Sequence, residues 1–168
     1  MLVESGKVSN ADPRELAGVI RTMFELAAPE RWANIQFEVD EDHPAATPDS
    51  PLFSLLAARG PSSPLATVMA ATTSGKHPQP AQIGLQHRAG QKAVSQLVEA
   101  GVVIPDDWQW VQDHPRRGLI VQLPEIDGTG AESMTDWLLS AMQLLNRSPT
   151  TGHVLYELHT GRDRTLRQ

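Results

Sequence analysis

Residues 84–123 read GLQHRAGQKAVSQLVEAGVVIPDDWQWVQDHPRRGLIVQL, and the fold class follows from how this stretch is parsed. The first half predicts a short helix over about Gly90 to Ala100, because Ala93, Val94, Leu97 and Val98 fall on one face at helical spacing. Gly101 stands where a left-handed residue closes a helix. The second half predicts a hairpin with strands Trp108–Gln112 and Leu119–Leu123. Its tip is Asp113-His114-Pro115-Arg116-Arg117-Gly118: Asp and Pro bend the chain and Gly118 supplies a positive φ. A helix that feeds an antiparallel hairpin indicates an α+β organisation.

Working outward, Ile83 to His87 reads as a strand that leads into this helix. Leu65–Thr73 reads as another, favoured by Thr67, Val68, Thr72 and Thr73. The stretch 74–80 is a loop containing Pro78 and Pro80, and Leu52–Arg59 is apolar but too short to assign to helix or strand. Residues 42–51 hold Pro44, Pro48 and Pro51 and form a loop. Ala33–Asp40 alternates, with Ile35, Phe37 and Val39 on one face and Asn34, Gln36 and Glu38 on the other, as a half-buried strand does. Asp12 and Pro13 start a helix as N-cap and first residue; its apolar stripe is Leu16, Val19, Ile20, Met23 and Leu26, and Pro29 ends it. Leu2–Val8 is a short first strand. Downstream, Thr129–Glu132 opens the longest helix, which carries Met134, Trp137, Leu138, Ala141, Met142 and Leu145. His153–His159 is the last strand, and 162–168 is a polar tail.

These elements predict one α+β domain over 1–168. Its mixed, mostly antiparallel sheet has about five to eight strands, with two long helices and one shorter helix on one face. Both long helices lead through a proline to a strand, and Phe37-Glu38-Val39 echoes Tyr156-Glu157-Leu158, which suggests two pseudo-repeated α–β units.

Composition narrows the function classes. Hydrophobic residues make up 40% of the 168-residue chain and aromatic ones 5%, so the core is aliphatic. A net charge of −6 argues against general affinity for nucleic acid or anionic membrane. The absence of cysteine removes disulfides, thiol catalysis and cysteine–metal sites and fits a reducing cytoplasm. There is no apolar run of the roughly 20 residues that span a bilayer and no signal-peptide pattern. The sequence offers no G-x-S-x-G, no phosphate-binding glycine motif and no H-E-x-x-H spacing. No catalytic residue, metal ligand or cofactor is assigned. Asp40-Glu41-Asp42-His43 is read as a solvated acidic strand end rather than a cation site.

The hairpin tip concentrates positive charge, so His114, Arg116 and Arg117 are candidate ligand- or partner-binding residues, able to hold a phosphate or carboxylate. Trp108 and Trp110 are candidates for a protein interface, although packing against Trp137 is the simpler expectation. Gly84-Leu85-Gln86-His87, the stripe Val94, Leu97 and Val98, the step Ala100-Gly101-Val102-Val103 and the arginine tip together resemble the recognition-helix-and-wing half of the MarR and GntR repressor families. That resemblance implies phosphate contacts from Arg116 and Arg117 and groove contacts from His87, Arg88, Gln91, Lys92 and Gln96. Gly90, Pro78 and Pro80, and the strand-like residues upstream oppose it. The expectation that best fits is a small cytosolic, non-catalytic interaction or regulatory module that binds a protein partner or itself as a homodimer. The alternatives are a winged-helix-like DNA-binding regulator using 84–123, and an anion-binding protein or enzyme using His114, Arg116 and Arg117.

Overall fold

A computed structural model describes residues 1–44, 61–72, 78–90, 92–124 and 130–161. The chain order is β1 (Leu2–Ser9), α1 (Pro13–Glu25), β2 (Arg31–Val39), β3 (Leu65–Met69), β4 (Gln82–Gln86), α2 (Ala93–Glu99), β5 (Gln109–His114), β6 (Gly118–Gln122), α3 (Gly130–Leu145) and β7 (Thr150–Thr160). The expected apolar run Leu52–Arg59 and the helix start at Thr129 lie outside the described residues.

The strands form one seven-stranded sheet in the order β1-β7-β2-β3-β4-β6-β5. Every pairing is antiparallel, so the mixed sheet expected from the sequence is corrected to an antiparallel one. Neither α1 nor α3 joins two neighbouring parallel strands, which is what a parallel pair would require.

Local chemistry fixes each helix. The Asp12 carboxylate accepts from the Arg14 N–H at 3.2 Å with Pro13 opening α1. The helix ends at Glu25, ahead of Pro29, because the Arg31 guanidinium donates to the Phe24 and Leu26 carbonyls at 2.8 and 2.7 Å and satisfies groups the helix leaves open. α2 is shorter than its pattern predicts: Lys92 takes a left-handed φ of +66°, so the helix cannot extend back to Gly90. Its C-terminus is a Schellman closure, with Gly101 N–H to Val98 O at 3.0 Å and Val102 N–H to Leu97 O at 2.8 Å.

Directly paired residues share a sheet face. Ala33, Ile35 and Phe37 on β2 align with Leu158, Tyr156 and Val154 on β7. Across β3, β4 and β6 the same face continues through Ala66 and Val68, Leu85 and Ile83, and Leu119 and Val121. This inner face is buried with Leu16, Ile20 and Met23 of α1, Leu97 of α2 and Met134, Leu138, Met142 and Leu145 of α3 in one core. The opposite face is not covered by these helices.

Candidate binding surface

The outer face follows from the same register. β1 contributes Ser5 and Lys7, β7 His153, Leu155, Glu157 and His159, and β2 Trp32, Asn34, Gln36 and Glu38. β3 contributes Leu65, Thr67 and Met69, β4 Gln82, Gly84 and Gln86, and β6 Ile120 and Gln122. Gln109 and Gln112 on β5 pair with Gln122 and Ile120 and complete the face. Most of these residues are half-buried, with Ser5, Lys7, Gln36, Gln86, Gln109 and Glu157 exposed.

The ionisable residues gather at one side. Lys7 Nζ lies 2.7 Å from a Glu38 carboxylate oxygen, the Thr151 hydroxyl donates to the same carboxylate, and His153 Nδ1 lies 3.5 Å from it. The Lys7 hydrogen bond first, and Thr151 second, hold the Glu38 pKa below its ordinary value. At the other end of β7, His159 stacks on Trp32 at 5.1 Å, and its Nε2 lies 3.1 Å from Glu157. Between the two clusters runs an open groove of about 590 Å³ from Lys7 across Leu155 and Glu157, Asn34 and Gln36 to Leu65. The β3–β4–β6 side is different: none of its outward residues is ionisable. It presents apolar groups, a hydroxyl, amides and the bare backbone of Gly84. A β-carbon at Gly84 would meet nothing nearer than the Thr67 carbonyl at 3.9 Å, so the position has open space above it.

The expected site residues lie elsewhere. His114, Arg116 and Arg117 are exposed on the β5–β6 turn. His114 Nδ1 accepts from the Arg116 and Arg117 N–H groups at 3.1 and 3.3 Å, so the imidazole organises the turn. Gly118 has φ +78°, and a β-carbon there would sit 2.2 Å from the Leu85 carbonyl oxygen. Both arginines are exposed, and the hydrogen bonds of the tip are those of a turn. Trp108 and Trp110 meet Trp137 edge-on at 5.4 and 6.1 Å and are half-buried, with Trp137 buried beneath them. They pack α3 against the hairpin. Asp40 closes its own turn by accepting from the Asp42 N–H at 3.2 Å, and among the described residues no three His, Asp or Glu side chains converge on a metal position.

The repressor-like reading needs two helices ahead of the wing, and the described residues of 76–103 form strand β4 and the seven-residue α2 instead. His87 and Arg88 precede α2, and Gln91 lies outside the described residues. His87 is 1% exposed and cannot reach a groove. It continues the inward row Ile83, Leu85, accepts from the Ala89 N–H at 3.2 Å through Nδ1, and leaves Nε2 buried without a partner. Burial depresses its pKa, an effect that the Asp113 carboxylate partly opposes.

Sequence reasoning placed Glu38 on the outward row of its strand but did not single out Trp32 or Glu157 as site residues, and it named Gly84 and His87 only within the repressor-like segment. The period-two alternation marks which residues point outward, but only the strand order brings them to one surface.

No protein-family model, no curated protein and no solved structure matches this chain.

Proposed function

We propose that this protein is a non-catalytic interaction module that binds another protein chain through the outer face of its sheet. The observation that carries this reading is the uncharged, half-exposed β3–β4–β6 side in a chain of which 20% is charged. Depletion of charge combined with accessible apolar groups is the composition of an interface core. Sheet-edge pairing is the weaker route. Both edge strands carry a β-bulge whose extra residue, Val3 or Val111, is exposed, and a bulge interrupts the ladder that an added strand would extend. The same reading places the protein in the cytoplasm. It also treats α1–β2 and α3–β7 as two versions of one unit, a view supported by the antiparallel adjacency of β2 and β7.

A photo-reactive amino acid at Gln122, on the outer face, tests this in cells that express the protein. Covalent adducts to protein are expected from position 122 and not from the exposed helix position Gln143. Absence of adducts at 122, or equal yields from both positions, would overturn the reading.

A further inference from the structure

We infer that the partner chain enters the groove between Lys7 and Leu65 with a lysine side chain, its ammonium on Glu157 and its aliphatic stem over Leu155. This rests on the interface reading above and names the chemistry of the occupant. Leu65 joins the two regions: it lines the groove and also stands on the outer face of β3. A chain lying on β3–β4–β6 can therefore turn one side chain into the groove. Register sets the groove residues in two rows across the sheet. Ser5, Glu157, Asn34 and Thr67 follow one another in the first row, and Lys7, Leu155, Gln36 and Leu65 in the second.

The two charges of these rows differ in what they leave open. Lys7 Nζ lies 2.9 and 2.7 Å from the two Glu38 oxygens and is already neutralised. On Glu157 only Oε2 is engaged, by His159 Nε2 at 3.1 Å, and the side chain is 55% exposed. A neutral imidazole donates to that carboxylate without supplying charge, so the groove keeps one uncompensated negative charge and calls for a cation. The net charge of −6 draws a cation in from a distance. The single open oxygen, Oε1, decides which cation. A guanidinium presents a planar fork matched to two carboxylate oxygens, whereas an ammonium is a point donor that needs one. The Ser5 hydroxyl, directly across from Glu157, offers a second acceptor. Leu155 and Leu65 are half-buried aliphatic groups, which suit a methylene stem. Glu157 and Leu65 are separated by two strand spacings and one two-residue step, about 12 Å, which accommodates a lysine side chain and the peptide bond beside it. The exposed Gln36 amide lies between Leu155 and Leu65 and holds donors and an acceptor for that peptide bond.

Amide NMR of the isotope-labelled full chain tests this at about pH 8, where an ordinary imidazole is neutral. The probe is lysine capped at both ends, Nα-acetyl-lysine N-methylamide. Saturable shifts are expected at Ser5, Gln36, Leu155 and Glu157, with a low-millimolar midpoint as suits a ligand of this size. The capped norleucine analogue, which keeps the stem and lacks the charge, should bind at least about tenfold more weakly, and the capped arginine analogue at least about threefold more weakly. Glu157→Gln should weaken lysine binding at least about tenfold with an unchanged circular dichroism spectrum, whereas Glu99→Gln, exposed on α2, should bind like wild type. Should Glu157→Gln unfold, Ser5→Lys, which sets a cation of the chain's own against Glu157, should block the probe in its place. No saturable shift up to about 50 mM, norleucine or arginine analogues that bind as well as lysine, an equal loss in the Glu99 variant, or tighter binding of the free diamine cadaverine would each overturn the lysine assignment. Adducts from position 122 without lysine binding keep the interface reading and remove only the lysine. Lysine binding without adducts from 122 removes the interface reading and, with it, the partner chain as the lysine's carrier.

Discussion

At Gly118 a turn and a close contact coincide: φ is +78°, and the Leu85 carbonyl occupies the space of any β-carbon. Gly118→Ala should therefore destabilise the fold by about 2–3 kcal/mol, read as a lower urea midpoint at constant slope. Arg116→Ala and Arg117→Ala, on the same turn but exposed, should each change stability by less than about 0.5 kcal/mol. His87 gives a pH dependence of known sign. Burial lowers its pKa from the ordinary 6.5, so the unfolded chain takes up a proton that the folded chain refuses. The stability from neutral His87 is complete above the unfolded value and declines as pH falls through 6.5 toward the lower folded pKa. His87→Phe should flatten that decline in urea midpoints measured between about pH 7.5 and about pH 5. The sequence announced the glycine, since a Pro-Arg-Arg-Gly turn needs a residue tolerant of positive φ. It did not announce the buried histidine, because a His next to an Arg reads as solvated until the inward row of β4 is extended to it.

Among the elements, α2 depends on its neighbour. Its N-cap residue Lys92 supplies no side-chain bond, and the Asp113 carboxylate of β5 instead accepts from the Val94 N–H at 3.2 Å. Asp113→Ala should destabilise by about 1 kcal/mol and raise amide hydrogen exchange at Val94. Trp137 binds α3 to the hairpin through two edge-on contacts, and Trp137→Ala should cost about 3–5 kcal/mol, checked by denaturant unfolding. The start of α1 was legible because Asp12 and Pro13 are adjacent to the turn they cap. Its end was not, because the capping guanidinium of Arg31 arrives from β2, seven residues beyond the Phe24 carbonyl it meets. The Schellman closure of α2 was legible in Gly101, whereas its cap at the other end comes from a residue nineteen positions away.

At the scale of the whole molecule, and among the described residues, one sheet separates a side packed by α1, α2 and α3 from a side that these helices leave uncovered. Lys7 and Glu38 pair across β1 and β2 although β7 lies between these strands, and Trp32 meets His159 only because β2 and β7 are neighbours. The candidate surface was half legible: alternation in β2 showed Asn34, Gln36 and Glu38 facing away from the core. The arginine tip was legible as a cationic turn, and the structure places it on the exposed β5–β6 turn, away from the outer face. No helix among the described residues is long and apolar enough to cross a membrane.

The sequence by itself determined the α+β class, the strand alternation, the start of α1, the glycine closure of α2 and the tryptophan contact between hairpin and helix. All of these are local periodicities, or pairings of large side chains that leave few alternatives. The tertiary structure decided that the sheet is wholly antiparallel, that Asp113 and Arg31 serve helices other than their own element, and that the charge-free outer positions of β3, β4 and β6 form one surface. Those outcomes depend on strand order and register, which are set by the simultaneous burial of many inward-facing side chains and by no single stretch of the chain.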